Sequence, residues 1–136
     1  MNIATTPGKI VYRNRMMELV QYEPTTEEVY RTPVVIYPPW INKYYILDLK
    51  PENSLVKWLV DQGHTVFVVS WVNPDATYRD VGMDDYIEDG YLAALREVKK
   101  ITGEKQVNAV GYCIAGTTLA LTLSLLKQRK DNSIKS

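Results

Sequence analysis

One cysteine, one histidine and no surplus of either charge are what this chain of 136 residues offers chemistry at first sight. A lone cysteine excludes an internal disulfide framework, and together with a lone histidine it cannot furnish a zinc site of the usual kinds. Lys+Arg 16 balance Asp+Glu 16, so no field of one sign covers the molecule, which argues against a basic nucleic-acid binder and against an acidic disordered tail. No run approaches the roughly 18 consecutive apolar residues of a membrane span. The opening MNIATTPGKIVYRNRMM lacks the apolar stretch of a secretory signal. Internal repeats and low-complexity tracts are missing too. The expectation left standing is a soluble cytoplasmic protein. Its length is close to the about 150 residues of one domain. A hydrophobic fraction of 46% is enough for a core, so residues 1–136 are read as one domain or part of one.

Two short alternating runs come first, Lys9–Arg13 and Met17–Tyr22, separated by Asn14-Arg15-Met16, a loop of hairpin length. The charged, proline-bearing stretch YEPTTEEVYRTP follows as a loop. Val34–Tyr37 is a continuous apolar run stopped by Pro38-Pro39. The segment SLVKWLVDQ then pairs Leu55 with Leu59 and Val56 with Val60 at helical spacing, with Asn53 or Ser54 to cap it and Gly63 to end it. Thr65–Trp71 is apolar and β-branched on both faces, as a strand covered on both sides must be. After the break at Asn73-Pro74-Asp75, a helix is expected from about Asp84 or Asp85. Its stripe is Ile87, Tyr91, Ala94, Leu95 and Val98; acids lead it, Lys99-Lys100 close it and Gly103 ends it. Gln106–Val110 is the next strand, and a nearly all-apolar helix runs from about Ile114 to KQRK. Alternating strands and helices with right-handed crossovers predict an α/β architecture: a mostly parallel sheet, helices on both faces, and the leading hairpin as an antiparallel edge.

In such sheets ligands bind beyond the carboxyl ends of the strands. There stands Gly111-Tyr112-Cys113-Ile114-Ala115-Gly116, with a strand running in and a helix running out, which is the context of a nucleophile elbow. Small residues two positions either side of the nucleophile let strand and helix approach; here they are Gly111 and Ala115, the second departing from the usual glycine. The positive end of the following helix favours a thiolate at Cys113. The Ile114 N–H would then face the oxyanion formed when sulfur attacks a carbonyl. A second donor is expected from the loop around Pro39-Trp40-Ile41. The plainer reading of any lone cysteine is a small buried hydrophobe.

A base is needed as well. His64 begins the strand Thr65–Trp71, which places it at the opposite edge of the sheet, roughly 20 Å away at about 3.3 Å per residue, so it is not the base. In this fold the acid and then the histidine follow the nucleophile, yet Asp131 is the sole acid after Cys113. The chain is therefore expected to stop after the elbow helix, before the machinery is complete. Asp84, Asp85, Glu88 and Asp89 read as a dipole-matched helix start rather than metal ligands, and Lys127, Arg129 and Lys130 as a helix end. Trp40 with Tyr44-Tyr45 could line an acyl pocket or pack under a loop. Asp48 lies on the loop leaving the active edge, although a helix cap or a salt bridge is the plainer reading of it.

The order TPGKIVYRN, MELVQYEPT, PPWINKYYILDL, GHTVFVVSWVNPD, DDYI and GYCIAGT resembles that of polyhydroxyalkanoate synthases, over about Thr6 to Lys130. The likeness rests most on Ile41–Leu49 and Val69–Asp75. It implies the N-terminal part of a single α/β-hydrolase-fold catalytic domain spanning 1–136. It further implies an acyltransferase that polymerises (R)-3-hydroxyacyl-CoA into polyester and releases coenzyme A. By position, Cys113 matches the acyl-carrying nucleophile, Ile114 its oxyanion amide, and Trp40, Ile41 and Asp48 a substrate-side loop; the family's catalytic Asp and His match nothing in the chain. No cofactor and no metal is implied, since coenzyme A enters as the substrate thioester. A homodimer at a polyester granule surface is implied, with neither nucleic acid nor a transmembrane segment involved. Two alternatives stay open: a cysteine-dependent esterase or thioesterase of the same fold, and an inactive remnant or interaction module. A strand edge left uncovered near Gln106–Val110 would favour association and poor solubility.

Overall fold

A computed structural model describes residues 6–39, 54–72 and 76–136, and of Tyr78 the backbone only. The sheet holds β1 (Gly8–Arg13), β2 (Met17–Tyr22), β3 (Val34–Tyr37), β4 (Val66–Trp71) and β5 (Asn108–Gly111), in the spatial order β1-β2-β4-β3-β5. β3, β4 and β5 run parallel, whereas β2 pairs antiparallel with both β1 and β4. The sheet is thus mixed, and its antiparallel part is the expected leading hairpin. The Asn14 side-chain oxygen accepts the N–H groups of Met16 (2.8 Å) and Met17 (3.0 Å), which fixes the reversal.

Alternation in the central strands sorts the core into two layers. Val34 and Ile36 of β3 and Val66 and Val68 of β4 face the side covered by α1 (Leu55–Asp61), meeting its Val56 and Val60. Val35, Tyr37, Phe67 and Val69 face the other side, where α3 (Ala93–Thr102) and α4 (Ile114–Gln128) lie. Burying each such side chain contributes about 1.5–3 kcal/mol relative to exposure. The Ser54 hydroxyl caps α1 by accepting the Lys57 N–H at 2.9 Å. Gly63, at φ +94°, takes the turn into β4 in a conformation that favours glycine.

Between β4 and α3 the chain forms a short α2 (Met83–Asp85) and then a π-helical segment, Tyr86–Leu92, that runs directly into α3. All five residues of the expected stripe are buried, but the wide π turn is not what a period of 3.6 predicts. The wide turn seats its backbone on another element: a Cβ on Gly90 would lie 2.5 Å from the Trp71 ring. The last helix runs where it is expected, from Ile114 to the basic KQRK. α4 buries Ala115, Thr118, Thr122 and Leu126, while Leu121 and Leu123 point outward. The buried threonine hydroxyls are satisfied by donating one turn back, Thr118 to the Ile114 carbonyl (3.3 Å) and Thr122 to that of Thr118 (2.9 Å). Beyond α4 the tail bends back along the outer edge of β5 in parallel. There Val107 N–H donates to Ser133 (2.8 Å), Lys135 N–H to Val107 (2.7 Å) and Ala109 N–H to Ser136 (2.7 Å).

Candidate active site

The strand-to-helix corner at Cys113 is where local geometry departs most from the ordinary. Cys113 is the N-cap of α4 with φ 54° and ψ −135°, outside both the right- and left-handed helical wells. Such a residue carries about 1–3 kcal/mol of strain and persists only where its surroundings over-determine it. They do. Gly111 ends β5 against the first turn of α4: a Cβ on it would lie 3.0 Å from the Ala115 oxygen and 3.2 Å from the Gly116 Cα, while one on Gly116 would lie 3.2 Å from the Gly111 oxygen. The close approach therefore runs between Gly111 and Gly116. Ala115 is fully buried with its methyl accommodated, so its departure from the glycine pattern is tolerated. Ala115 N–H donates to Tyr112 (3.1 Å) and Gly116 N–H to Cys113 (3.0 Å), closing the turn under the cysteine.

The turn pushes Cys113 out into solvent as an exposed free thiol. Ile114 follows at the first helical position, where the backbone N–H lies outside the helix ladder and is open to an acceptor. Tyr112, next to the thiol, has a buried hydroxyl with no hydrogen-bond partner among the described residues. Burial first, and the neighbouring Cys113 second, push its phenol pKa up.

The carboxyl end of β3 lies beside this corner, since Tyr37 pairs in register with Gly111. Pro38 and Pro39 have no N–H to give, and the Pro38 oxygen already accepts the Trp71 Nε1–H at 2.7 Å. Any oxyanion donor from the segment after β3 therefore belongs to Trp40 or a later residue. Trp40, Ile41, Tyr44, Tyr45 and Asp48, the other sequence-expected site residues, lie outside the described residues.

The other sequence candidates sit elsewhere. His64 stands before β4, at the amino edge of the parallel strands, with Tyr30 against its ring at 4.9 Å and its Nδ1 buried. Asp131 lies past the far end of α4, about 22 Å along the helix from Cys113 at 1.5 Å per residue. Its carboxylate accepts the Ser133 hydroxyl and N–H, which hold its pKa below the usual range. Of the acids opening the helical run, Asp85 accepts the Gly82 N–H at 2.9 Å and Glu88 pairs with Arg129 of the last helix's end at 2.8 Å. Among the described residues no three His, Cys, Asp or Glu side chains converge as metal ligands.

Sequence reasoning missed one part of this site, the aromatic group behind the corner. Tyr37 and Tyr91 stack at 4.2 Å and 9°, and Trp71 leans on Tyr91 at 5.6 Å. The three are far apart in sequence, and only the parallel order of β3 and β4 brings them together. Sequence alone signals merely that Tyr37 and Trp71 each end an apolar run and that Tyr91 lies on a buried helical stripe.

The comparisons agree with this geometry. Residues 1–59 match the family described as "Poly-beta-hydroxybutyrate polymerase (PhaC) N-terminus". Poly(3-hydroxyalkanoate) polymerase subunit PhaC of Rhizobium etli is 51% identical over 99% of the chain, and the polymerase of Methylorubrum extorquens 50% over 99%. The chain belongs to the poly(3-hydroxyalkanoate) polymerase family. It spans 21% and 22% of the length of those two poly(3-hydroxyalkanoate) polymerases. Solved α/β-hydrolases share the fold at low identity. A CIB-like hydrolase of Thermoplasma acidophilum matches with a TM-score of 0.59 and 11% identity, covering 96% of this chain and 61% of that one. A Vigna radiata epoxide hydrolase mutant gives 0.58 and 13%, covering 96% and 37%. The fold is therefore a portion of the α/β-hydrolase fold, as the family resemblance of the sequence implied.

Proposed function

We propose that this chain carries the nucleophile of a polyhydroxyalkanoate synthase, with Cys113 accepting the acyl group of (R)-3-hydroxyacyl-CoA. The observation that carries the reading is Cys113 itself: a non-glycine residue at φ 54°, exposed, between a strand end and a helix N-terminus. The thiolate attacks the thioester carbonyl, and the resulting oxyanion is met by the Ile114 N–H. Collapse breaks the carbon–sulfur bond to coenzyme A, which leaves as its thiol after taking up a proton, and the acyl group stays on Cys113. Exchange of one thioester for another keeps the acyl group activated, whereas a serine ester would lie lower in energy and slow the next transfer. The 3-hydroxyl of a second acyl unit then gives its proton to a base and attacks the Cys113 thioester, forming the ester bond and freeing the thiolate. His64 stands at the wrong edge for that base, so the base and its acid partner come from outside these residues. Trp40, Ile41 and Asp48 are assigned to the substrate side of the same mouth, and the polymer-granule surface to the setting in which the product accumulates.

Incubating the chain with (R)-3-hydroxybutyryl-CoA and mapping adducts by mass spectrometry tests this reading. One acyl group on Cys113, none in Cys113→Ala and no polymer are the expected results. Acylation elsewhere with Cys113 untouched overturns it. Free hydroxy acid released in turnover, abolished by Cys113→Ala, replaces it with a hydrolase of the same fold.

A further inference from the structure

We infer that Tyr91 is a positioning residue for the nucleophile corner: its buried hydroxyl holds the Ala115 carbonyl, and through it the first turn of α4 beneath Cys113. The inference deepens the reading of Cys113 as the nucleophile and rests on it. Tyr91 is fully buried in the π-helical segment, and its hydroxyl donates to the Ala115 oxygen at 2.9 Å. On its other side that carbonyl faces the Gly111 backbone, where a Cβ would come within 3.0 Å of it. The carbonyl is thus pinned between the end of β5 and a phenol, two residues after the strained cysteine.

The phenol is itself held from two directions. Its ring stacks on Tyr37, whose hydroxyl donates to the Tyr91 backbone oxygen at 3.0 Å. Trp71 leans on the same ring, tied by its Nε1–H to Pro38, and its far edge occupies the slot that Gly90 leaves open. The carboxyl ends of β3 and β4 are in this way linked to the elbow helix through one side chain. Burial keeps both phenols protonated by raising their pKa values, against a smaller opposing effect of the Thr118 hydroxyl on Tyr91. Tyr91 is therefore a hydrogen-bond donor at every working pH, and the Ala115 carbonyl is where its proton goes. A π-helical turn interrupting a regular helix commonly marks a functional site, and here it carries the Tyr91 hydroxyl that reaches the elbow helix.

Tyr91→Phe keeps the ring, the stack and the backbone acceptor and deletes only the hydroxyl. Tyr22→Phe removes a buried phenol hydroxyl from the opposite face of the sheet and serves as control. Two measurements on the folded chain decide the matter: amide hydrogen exchange resolved by segment, and the rate at which iodoacetamide alkylates Cys113. The expected result for Tyr91→Phe is exchange about tenfold faster over residues 112–118 and an altered alkylation rate, with β3 and β4 protected as before. Tyr22→Phe is expected to leave both readings at the corner unchanged. Unchanged exchange at the corner overturns the inference. So does loosening spread evenly over the sheet, or failure to fold, either of which makes Tyr91 a core residue only. A chain that Tyr91→Phe loosens locally but that accepts no acyl group on Cys113 separates the two claims, sinking the nucleophile while the brace stands.

Discussion

At the scale of single residues, Cys113 is one of two non-glycine positions at positive φ among the described residues, with Lys130 the other, and it is the one at a strand-to-helix corner. Cys113 is held at positive φ because Gly111, Gly116 and the Ala115 carbonyl leave the backbone no room to relax. Gly111→Ala tests this directly. Two of the three atoms its Cβ would meet belong to backbone, so neither can swing aside, and a destabilisation of about 1–3 kcal/mol is expected in urea unfolding. An unchanged midpoint would mean that the approach of strand and helix is looser than described. The motif made the cysteine and its flanking small residues legible from the sequence. It did not reveal which pair makes the close approach, because Ala115 and Gly116 are adjacent and only the helix phase distinguishes them.

At the scale of elements, the order of strands and helices followed from the alternation of apolar runs, and the five-residue stripe of the long helical run is buried as expected. The π turn within it was illegible. It is seated on Trp71 in another element, and no local pattern encodes that contact. Gly90→Ala gains helix propensity of about 1 kcal/mol but sets a methyl 2.5 Å from a Trp71 ring already fixed by Pro38, Tyr86 and Tyr91. The clash outweighs the gain, and a net loss of about 1–3 kcal/mol is expected from urea titration; a more stable variant would contradict the account. α4 runs over the expected residues, but which of its faces is buried was not legible. A nearly apolar helix suggests an apolar buried face, yet Thr118 and Thr122 are buried, because their hydroxyls can bond one turn back and their small volume suits a close contact. At its far end, the lowered pKa of Asp131 contributes stability that is present above the ordinary carboxyl value of 3.8 and is lost as pH falls through the folded-state value. Asp131→Asn should therefore reduce stability at neutral pH and flatten its acid dependence below about pH 4. Equal acid sensitivity in the two chains would place the titrating group elsewhere.

At the scale of the whole molecule, the sheet is closed on one side by the hairpin and continued on the other by the tail along β5, so the edge expected to be bare is partly covered. Among the described residues, apolar surface stays open on α4 and on β5. Leu121 and Leu123 of α4 are 48% and 43% exposed, and Val110 of β5 is 41% exposed. Self-association that grows with concentration is the expected behaviour in sedimentation. Leu121→Lys with Leu123→Lys should shift the chain toward monomer; a wild-type chain monomeric at millimolar concentration would contradict this. The catalytic proposal needs less than the whole assembly, because the strained turn is built entirely from residues of this chain. Its most direct test is the rate at which the Cys113 thiol takes the acyl group from (R)-3-hydroxybutyryl-CoA in the folded chain, against the same chain in urea. The account predicts acylation at least about tenfold faster when folded, since only the fold aligns thiolate and Ile114 N–H on one carbonyl. Equal rates in the two states would show that the bend at Cys113 does nothing for its sulfur.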